Sequence, residues 1–364
     1  MAGRTSRRTR SGWRLAAAGV WFATLLCGVS AVVLVGAQSP KWTEKARMEA
    51  LGRAEVWRQP QDSPMTADLS RPPDALGDEV TCRFRVTAMR GTVRKFTCTL
   101  PTGETLRVKY AGPEPHGEVA ASRLLLALGF DADRVGFVRK VRCMGCPWSP
   151  FATLSVVTLA RAGGLYERVM QSDKAVDFDW VAVERAFEGE QIRTDTTEGW
   201  TFEELSRVRT ASREHTDALR LLAVFLAHWD NKSENQRLVC LSGAPRPDGT
   251  CAQPFAMLQD VGATFGPRKV NLAAWRAARI WTDRARCEIG MDDLPHGGAT
   301  FVRVAVSEAG RRFLASRLQA LSDDQLAALF RGARFEPRYG AISDWVAAFK
   351  ARTAQIADGP ACPA

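Results

Sequence analysis

The chain has 364 residues, 46% of them hydrophobic and 25% charged, with a formal net charge of +10 at pH 7, which is long enough for a two-lobed core once its N-terminus is set aside. Five of the ten excess positive charges are Arg4, Arg7, Arg8, Arg10 and Arg14. The rest of the excess is too small and too dispersed for a nucleic-acid-binding protein, and no aromatic–basic motif of the single-strand-binding kind accompanies it.

Those arginines precede Leu15 to Ala37, a run of 23 residues without a charge that is long enough to span a bilayer. The same run ends in Val35-Gly36-Ala37 before Gln38, a small-residue pattern that signal peptidase cuts. Residues 1–40 therefore read as a cleaved signal peptide or an N-terminal membrane anchor. Ser6-Arg7-Arg8 is a weak twin-arginine signal, because Arg10 stands where an apolar residue is expected. The positive-inside rule sends everything beyond about residue 40 out of the cytoplasm. The expected location is an extracytoplasmic domain on a membrane anchor, or a secreted or periplasmic protein.

Lys41 to Arg58 reads as a short helical stalk, and Gln59 to Gly77, with four prolines, as a linker. Val80 to Val86 and Phe96 to Leu100 alternate apolar with polar residues around Gly91-Thr92-Val93-Arg94-Lys95, which predicts a hairpin. After the turn Pro101-Thr102-Gly103 comes a strand, Leu106 to Tyr110, with Lys109 among apolar neighbours. Gly117 to Gly129 is a run of good helix formers closed by a glycine. His116, just before it, reads as a solvated loop residue. The chain then crosses at Cys146 to Pro150 into a part with helical periodicity. The expected helices are Trp180–Glu188, Thr201–Arg207, His215–His228, Leu272–Ile280, Glu308–Leu321 and Ser322–Arg331, the last opened by the capping box Ser322…Gln325. Most of the 11 tryptophans belong in the core of such a molecule.

Apart from Cys27, the cysteines number eight, at 82, 98, 143, 146, 240, 251, 287 and 362, an even count that suits disulfides in an oxidising compartment. Cys82 and Cys98 fall on neighbouring strands of the hairpin, and Cys240 and Cys251 flank a Pro/Gly-rich turn from Ser242 to Gly249. Both pairs are expected bridges. Cys143-Met144-Gly145-Cys146 allows a redox pair, half of a metal site or a local disulfide. A structural zinc needs two further ligands, and neither a second C-x-x-C nor a His pair supplies them. The structural disulfide ranks first.

The motif that carries chemistry is His228-Trp229-Asp230-Asn231-Lys232-Ser233-Glu234-Asn235, followed by Gln259-Asp260-Val261-Gly262. Phosphoryl transfer needs hard oxygen ligands for a divalent ion and a carboxylate that orients the attacking hydroxyl. Asn235 and Asp260 supply the former, and Asp230 stands where the latter is needed. Upstream lie, in order, the glycine turn, the strand lysine Lys109 and the helix glutamate Glu118. This order, over residues 79–270, resembles that of the atypical kinases: the HipA-type bacterial kinases, the phosphatidylinositol 3- and 4-kinases and the secretory-pathway protein kinases of the casein-kinase type. Trp229 stands where ordinary protein kinases have Arg, and Val261 where their metal-binding triplet has Phe.

The resemblance implies an α+β, two-lobed kinase-like fold behind the N-terminal segment (1–40) and the stalk and linker (41–77). The small strand-rich lobe would cover 78–146 and the larger helical lobe 147–364. It implies Lys109 on the nucleotide phosphates with Glu118 as its partner, and Asp230 as the catalytic carboxylate. Asn235 and Asp260 would be the ligands of Mg²⁺ or Mn²⁺. Gly91, Thr92, Arg94 and Lys95 suit the phosphate side of an ATP site. The partners expected are the nucleotide, a hydroxyl acceptor of undetermined class (protein, sugar or lipid) and, through the N-terminal segment, a membrane. An inactive, pseudokinase-like envelope binding module is the alternative, since a bacterial periplasm holds no ATP pool whereas a secretory lumen does. A thiol oxidoreductase is excluded, because no thioredoxin-like βαβ pattern surrounds Cys143.

Overall fold

Period-2 alternation builds Glu79–Arg85, Lys95–Thr99 and Thr105–Lys109 into strands. A computed structural model of the protein describes residues 42–363, apart from 61, 73–74, 88–90, 153–173, 188, 209–211, 242–249, 292–293, 295–300 and 302. In it β1 (Glu79–Arg85), β2 (Lys95–Thr99), β3 (Thr105–Lys109), β4 (Arg134–Met144) and β5 (Ala175–Arg185) close into a barrel ordered β1-β2-β3-β5-β4. The hairpins β1–β2 and β2–β3 are antiparallel, as the alternation predicts, while β4 returns parallel to β1. Phe96, Leu106, Val108, Val141, Val181 and Val183 fill the barrel.

β5 replaces the helix expected at Trp180–Glu188, and it carries the barrel past the boundary expected at residue 146. Val181 and Val183 point into the barrel core, whereas Ala182 belongs to the main core outside it. A strand buried on both faces has no polar face and reads as a continuous apolar run. Trp180 interrupts it with a left-handed backbone (φ 52) and turns out, half exposed, against the Arg334 guanidinium at 3.7 Å.

Helix α1 (Glu44–Leu51) buries Arg47, Ala50 and Leu51, and Glu55 bridges to Phe255. The stretch expected to be a stalk and linker is thus built into the same compact unit as the rest of the chain from residue 40 on. Helix α2 (Glu114–Leu128) starts earlier than expected and ends on Gly129 in the left-handed conformation (φ 88). It also takes in His116, which is buried rather than solvated. The imidazole lies 2.9 Å from Ala333 O and packs on Phe137 and Tyr339.

Beyond β5 the chain is mainly helical: α3 (Phe202–Arg207), α4 (Arg213–Leu226), α5 (Leu272–Ala277), α6 (Glu308–Gln319), α7 (Asp323–Gly332) and α8 (Ile342–Ala357). Two small sheets interrupt it, one of β6 (Glu190–Gln191), β7 (Gln236–Cys240) and β8 (Pro254–Leu258), the other of β9 (Trp281–Asp283), β10 (Glu288–Gly290) and β11 (Arg303–Ala305). Capping boxes open α3 at Thr201 and α7 at Ser322. Trp275, Phe330, Phe335, Trp345 and Phe349 pack around Phe265 and Phe225 in the main core. Trp148, 89% exposed, departs from the expected burial of tryptophans.

The cysteines pair as Cys82–Cys98, Cys143–Cys146, Cys240–Cys251 and Cys287–Cys362. The N-terminal segment and the turn expected at Ser242 to Gly249 lie outside the described residues. Among the described residues no helix is long and apolar enough to cross a membrane.

Candidate functional site

Lys109 ends β3 where three elements meet. Its Nζ pairs with Glu118 Oε1 of α2, stands 3.1 Å from Glu184 Oε2 of β5 and 3.5 Å from Asp260 Oδ1 just after β8. Lys109, Glu118 and Glu184 are buried, while the Asp260 side chain keeps 44% of its surface in solvent. The approach of α2 rests on a glycine. A Cβ at Gly117 would stand 2.8 Å from Gly262 O, so any side chain there would push Glu118 away from the Asp260-Val261-Gly262 segment. Lys95 sits directly across the β2–β3 ladder from Lys109.

The cluster holds more acid than the motif order predicts. Glu118, Asp133 and Glu184 bring carboxylate oxygens within 4.8 Å of one another, Arg107 binds Glu184, and Asp133 Oδ2 accepts the Asp260 N–H at 3.3 Å. The Lys109 ammonium holds Asp260 at a pKa of about 2 against its burial. Burial pushes Glu118 up to about 7 despite the Lys109 contact, and raises Asp133 well above the usual carboxylate range. Burial also works against ionisation of Glu184, but Lys109 and Arg107 outweigh it and its pKa falls. Lys95 is lowered by burial, with the Asp260 charge opposing. The result is one ionised, water-facing carboxylate beside a cation fixed from behind.

The second part of the site hangs from the end of α4. Ala227 takes a left-handed conformation (φ 56) and turns the chain out of the helix. His228, fully buried, has its pKa driven down to about 4 by that burial. The loop is tied by its own amides. Asn231 Nδ2 donates to His228 O at 2.9 Å, Gln236 Nε2 to Asn231 O at 2.8 Å and Asn235 Nδ2 to Asp230 O at 2.8 Å. The Gln259 N–H donates to Asn235 O at 2.9 Å, which sets Asn235 beside the residue preceding Asp260. Asp260 itself has φ 51. Asp230, 25% exposed at its side chain, pairs with Lys232 Nζ at 3.1 Å. Trp229 packs against the main core.

Of the residues predicted from sequence, Lys109, Glu118, Lys95 and Asp260 converge on one cluster, and Asp230 and Asn235 share the adjacent loop. Thr92 and Arg94 lie on the rim of a separate cavity of about 300 Å³, together with Gly112, Glu114 and Lys269, where Lys269 pairs with Glu114 at 2.8 Å. Gly91 (φ 83) is exposed, and a Cβ there would be 3.6 Å from Lys95 Nζ. Sequence reasoning missed Arg107, Asp133 and Glu184. For Glu184 the signal is the β-branched pattern Val181-Ala182-Val183, which favours a strand; for Asp133 it is a second Asp four residues after the helix-ending Gly129.

No protein-family model matches the chain, and no curated protein matches it either. Among solved structures it is similar to the crystal structure of a Helicobacter pylori proinflammatory kinase, CtkA, at 9% identity, with 77% of this chain and 96% of that chain covered and a TM-score of 0.44. It is also similar to the crystal structure of the Golgi casein kinase with Mn/ADP bound, at 12% identity, with 79% and 73% covered and a TM-score of 0.34.

Proposed function

We propose that this chain is an atypical kinase, exported or membrane-anchored through its N-terminal segment, that transfers the γ-phosphate of ATP to a hydroxyl on a protein, sugar or lipid. The observation that carries this reading is the Lys109 ammonium, buried and held between Glu118 and Glu184 while it touches the solvent-facing Asp260. A lysine braced in this way presents its charge at a fixed point, which a polyphosphate requires. Lys95 adds a second positive charge across the ladder, and Gly91, Thr92 and Arg94 form the turn beyond it. Asp260 is ionised and accessible, and Asn235, with its nitrogen committed to Asp230 O, keeps Oδ1 as a ligand atom. Both are hard oxygens of the kind Mg²⁺ or Mn²⁺ takes. The bound ion would neutralise charge on the β- and γ-phosphate oxygens.

The protein's own part is to position groups. Glu118 and Glu184 would hold Lys109 in place while Asp260 served as a ligand of the ion. Asp230 accepts the hydrogen bond of the acceptor hydroxyl and aims its oxygen at phosphorus, with Lys232 beside the carboxylate. The test is label transfer from ATP to protein, sugar and lipid acceptors, alongside thermal shifts with ATP and Mg²⁺ or Mn²⁺. Asp260→Ala should lose the metal-dependent shift. Asp230→Ala should keep the shift and lose roughly 10² to 10⁴ in transfer rate. Nucleotide binding without transfer to any acceptor would favour the binding-module reading. A wild-type protein with no metal-dependent shift would overturn the kinase reading.

A further inference from the structure

A second cavity of about 700 Å³ lies between residues 58–60, 62–72 and 75, the C-terminal half of α2 and the start of β4. Its floor holds an anomaly. Arg123, on α2, is only 5% exposed and its Nε makes no hydrogen bond. Its Nη1 reaches Leu69 O at 3.5 Å, long for an N–H···O contact. Among the described residues no carboxylate stands within the 4.0 Å of an ion pair. The nearby acids are otherwise engaged: Asp131 receives Arg58 at 2.7 Å, and exposed Asp68 accepts the Ser70 N–H at 2.8 Å. Burial lowers the guanidinium to about 10, with Asp68 opposing, so it is charged at neutral pH.

A charge buried alone costs several kcal/mol, and this fold makes room for one. At Gly332 a Cβ would collide with Arg123 Nη1 and Ser70 O. Among the described residues the charged groups that line the cavity are Arg58, Arg71, Arg123 and Arg134 with Asp62, Asp68 and Asp131, and Arg71 also reaches Asp78 at 3.9 Å. Leu69, Leu126 and Ala127 supply apolar wall, and the volume is in the range of small-molecule sites. A buried guanidinium with no carboxylate in ion-pair reach among the described residues, beside an apolar wall, calls for an anion with an apolar body.

We infer that this cavity binds a small organic carboxylate, its head on Arg123 and its body against Leu69, Leu126 and Ala127. The site is independent of the proposed phosphotransfer and is read by binding alone.

The experiment is calorimetry and thermal shift on the full chain with octanoate, its neutral isostere octanamide, and inorganic phosphate. Octanoate is expected to raise the melting temperature in a concentration-dependent way, and to bind at least about tenfold more tightly than octanamide, the value of one charge-assisted hydrogen bond. Phosphate should bind more weakly than octanoate. Arg123→Met, which replaces a lone buried charge with an apolar chain, should fold at least as stably and weaken octanoate at least about tenfold. Octanamide equal to octanoate, phosphate tighter than octanoate, no octanoate binding, or octanoate unaffected by Arg123→Met would each overturn the assignment. The comparison of octanoate with octanamide on the wild-type chain decides the matter even if the variant does not fold.

Discussion

Lys109 balances two carboxylates that have almost no water, and its removal is therefore felt first as stability. Glu118 and Glu184 are 1% and 7% exposed. Without the cation Glu118 must ionise unpaired or take up a proton, while Glu184 keeps only Arg107, and breaking a buried pair in this way costs about 3–5 kcal/mol. Lys109→Met should destabilise by that order in chemical denaturation, and adding Glu118→Gln and Glu184→Gln should recover much of it. The pH dependence has a definite sign. With Lys109 gone the folded pKa of Glu118, already raised by burial, rises further above its unfolded value. The folded state then binds more protons than the unfolded state in that window, so stability falls as pH rises. The loss in Lys109→Met should be larger at pH 8 than at pH 5, and a pH-independent loss would show that the ammonium is not the balancing charge. At this scale Lys109, Glu118 and Asp260 were legible because residue type and order suffice to nominate them. Glu184 was not, because nominating it required knowing which strand stands beside β3.

At the scale of elements, the loop that carries His228 to Asn235 depends on α8, an element that sequence periodicity did not single out. Arg352 of α8 is 1% exposed and donates to Phe225 O at the end of α4 and to Trp275 O and Ala278 O at the end of α5. It closes helix ends whose last carbonyls have no partner within the helix. Arg352→Ala removes this donor from Trp275 O and Ala278 O, whereas Phe225 O keeps the Trp275 indole N–H at 2.8 Å, and the expected cost is about 2 kcal/mol or more. Denaturant unfolding with an unchanged slope would check it, and a loss under about 1 kcal/mol would show that other groups satisfy these carbonyls. Termini were the more legible features: Ser322 and Gly129 do what their residue types favour. β5 was misread because its apolar residues alternate between two cores rather than between core and water.

For the whole molecule, the disulfides differ in how much chain they close. Cys287–Cys362 spans 75 residues and ties the start of β10 to the tail after α8, whereas Cys240–Cys251 spans 11. Loop-closure entropy makes the first worth about 4 kcal/mol and the second about 3. Serine pairs at each site, compared by denaturant midpoint, should therefore rank in that order. Non-reducing peptide mapping should recover all four bridges. Free thiols at these positions would count against an oxidising compartment.

The sequence by itself determined the hairpins of the barrel, most helix positions, three of the four cysteine pairs and the order of Lys109, Glu118, Asp230, Asn235 and Asp260, since each follows from local periodicity, capping chemistry or short spacing. Only the tertiary structure decided that α1 and the described residues between 58 and 75 are built into the compact unit, that β5 completes the barrel, and that Glu184, Asp133 and Arg107 join Lys109. It likewise decided that Arg123 is buried with no carboxylate in ion-pair reach among the described residues. These are contacts between residues far apart in the chain, and burial, unlike periodicity, is a property of what packs against a residue rather than of its neighbours in sequence.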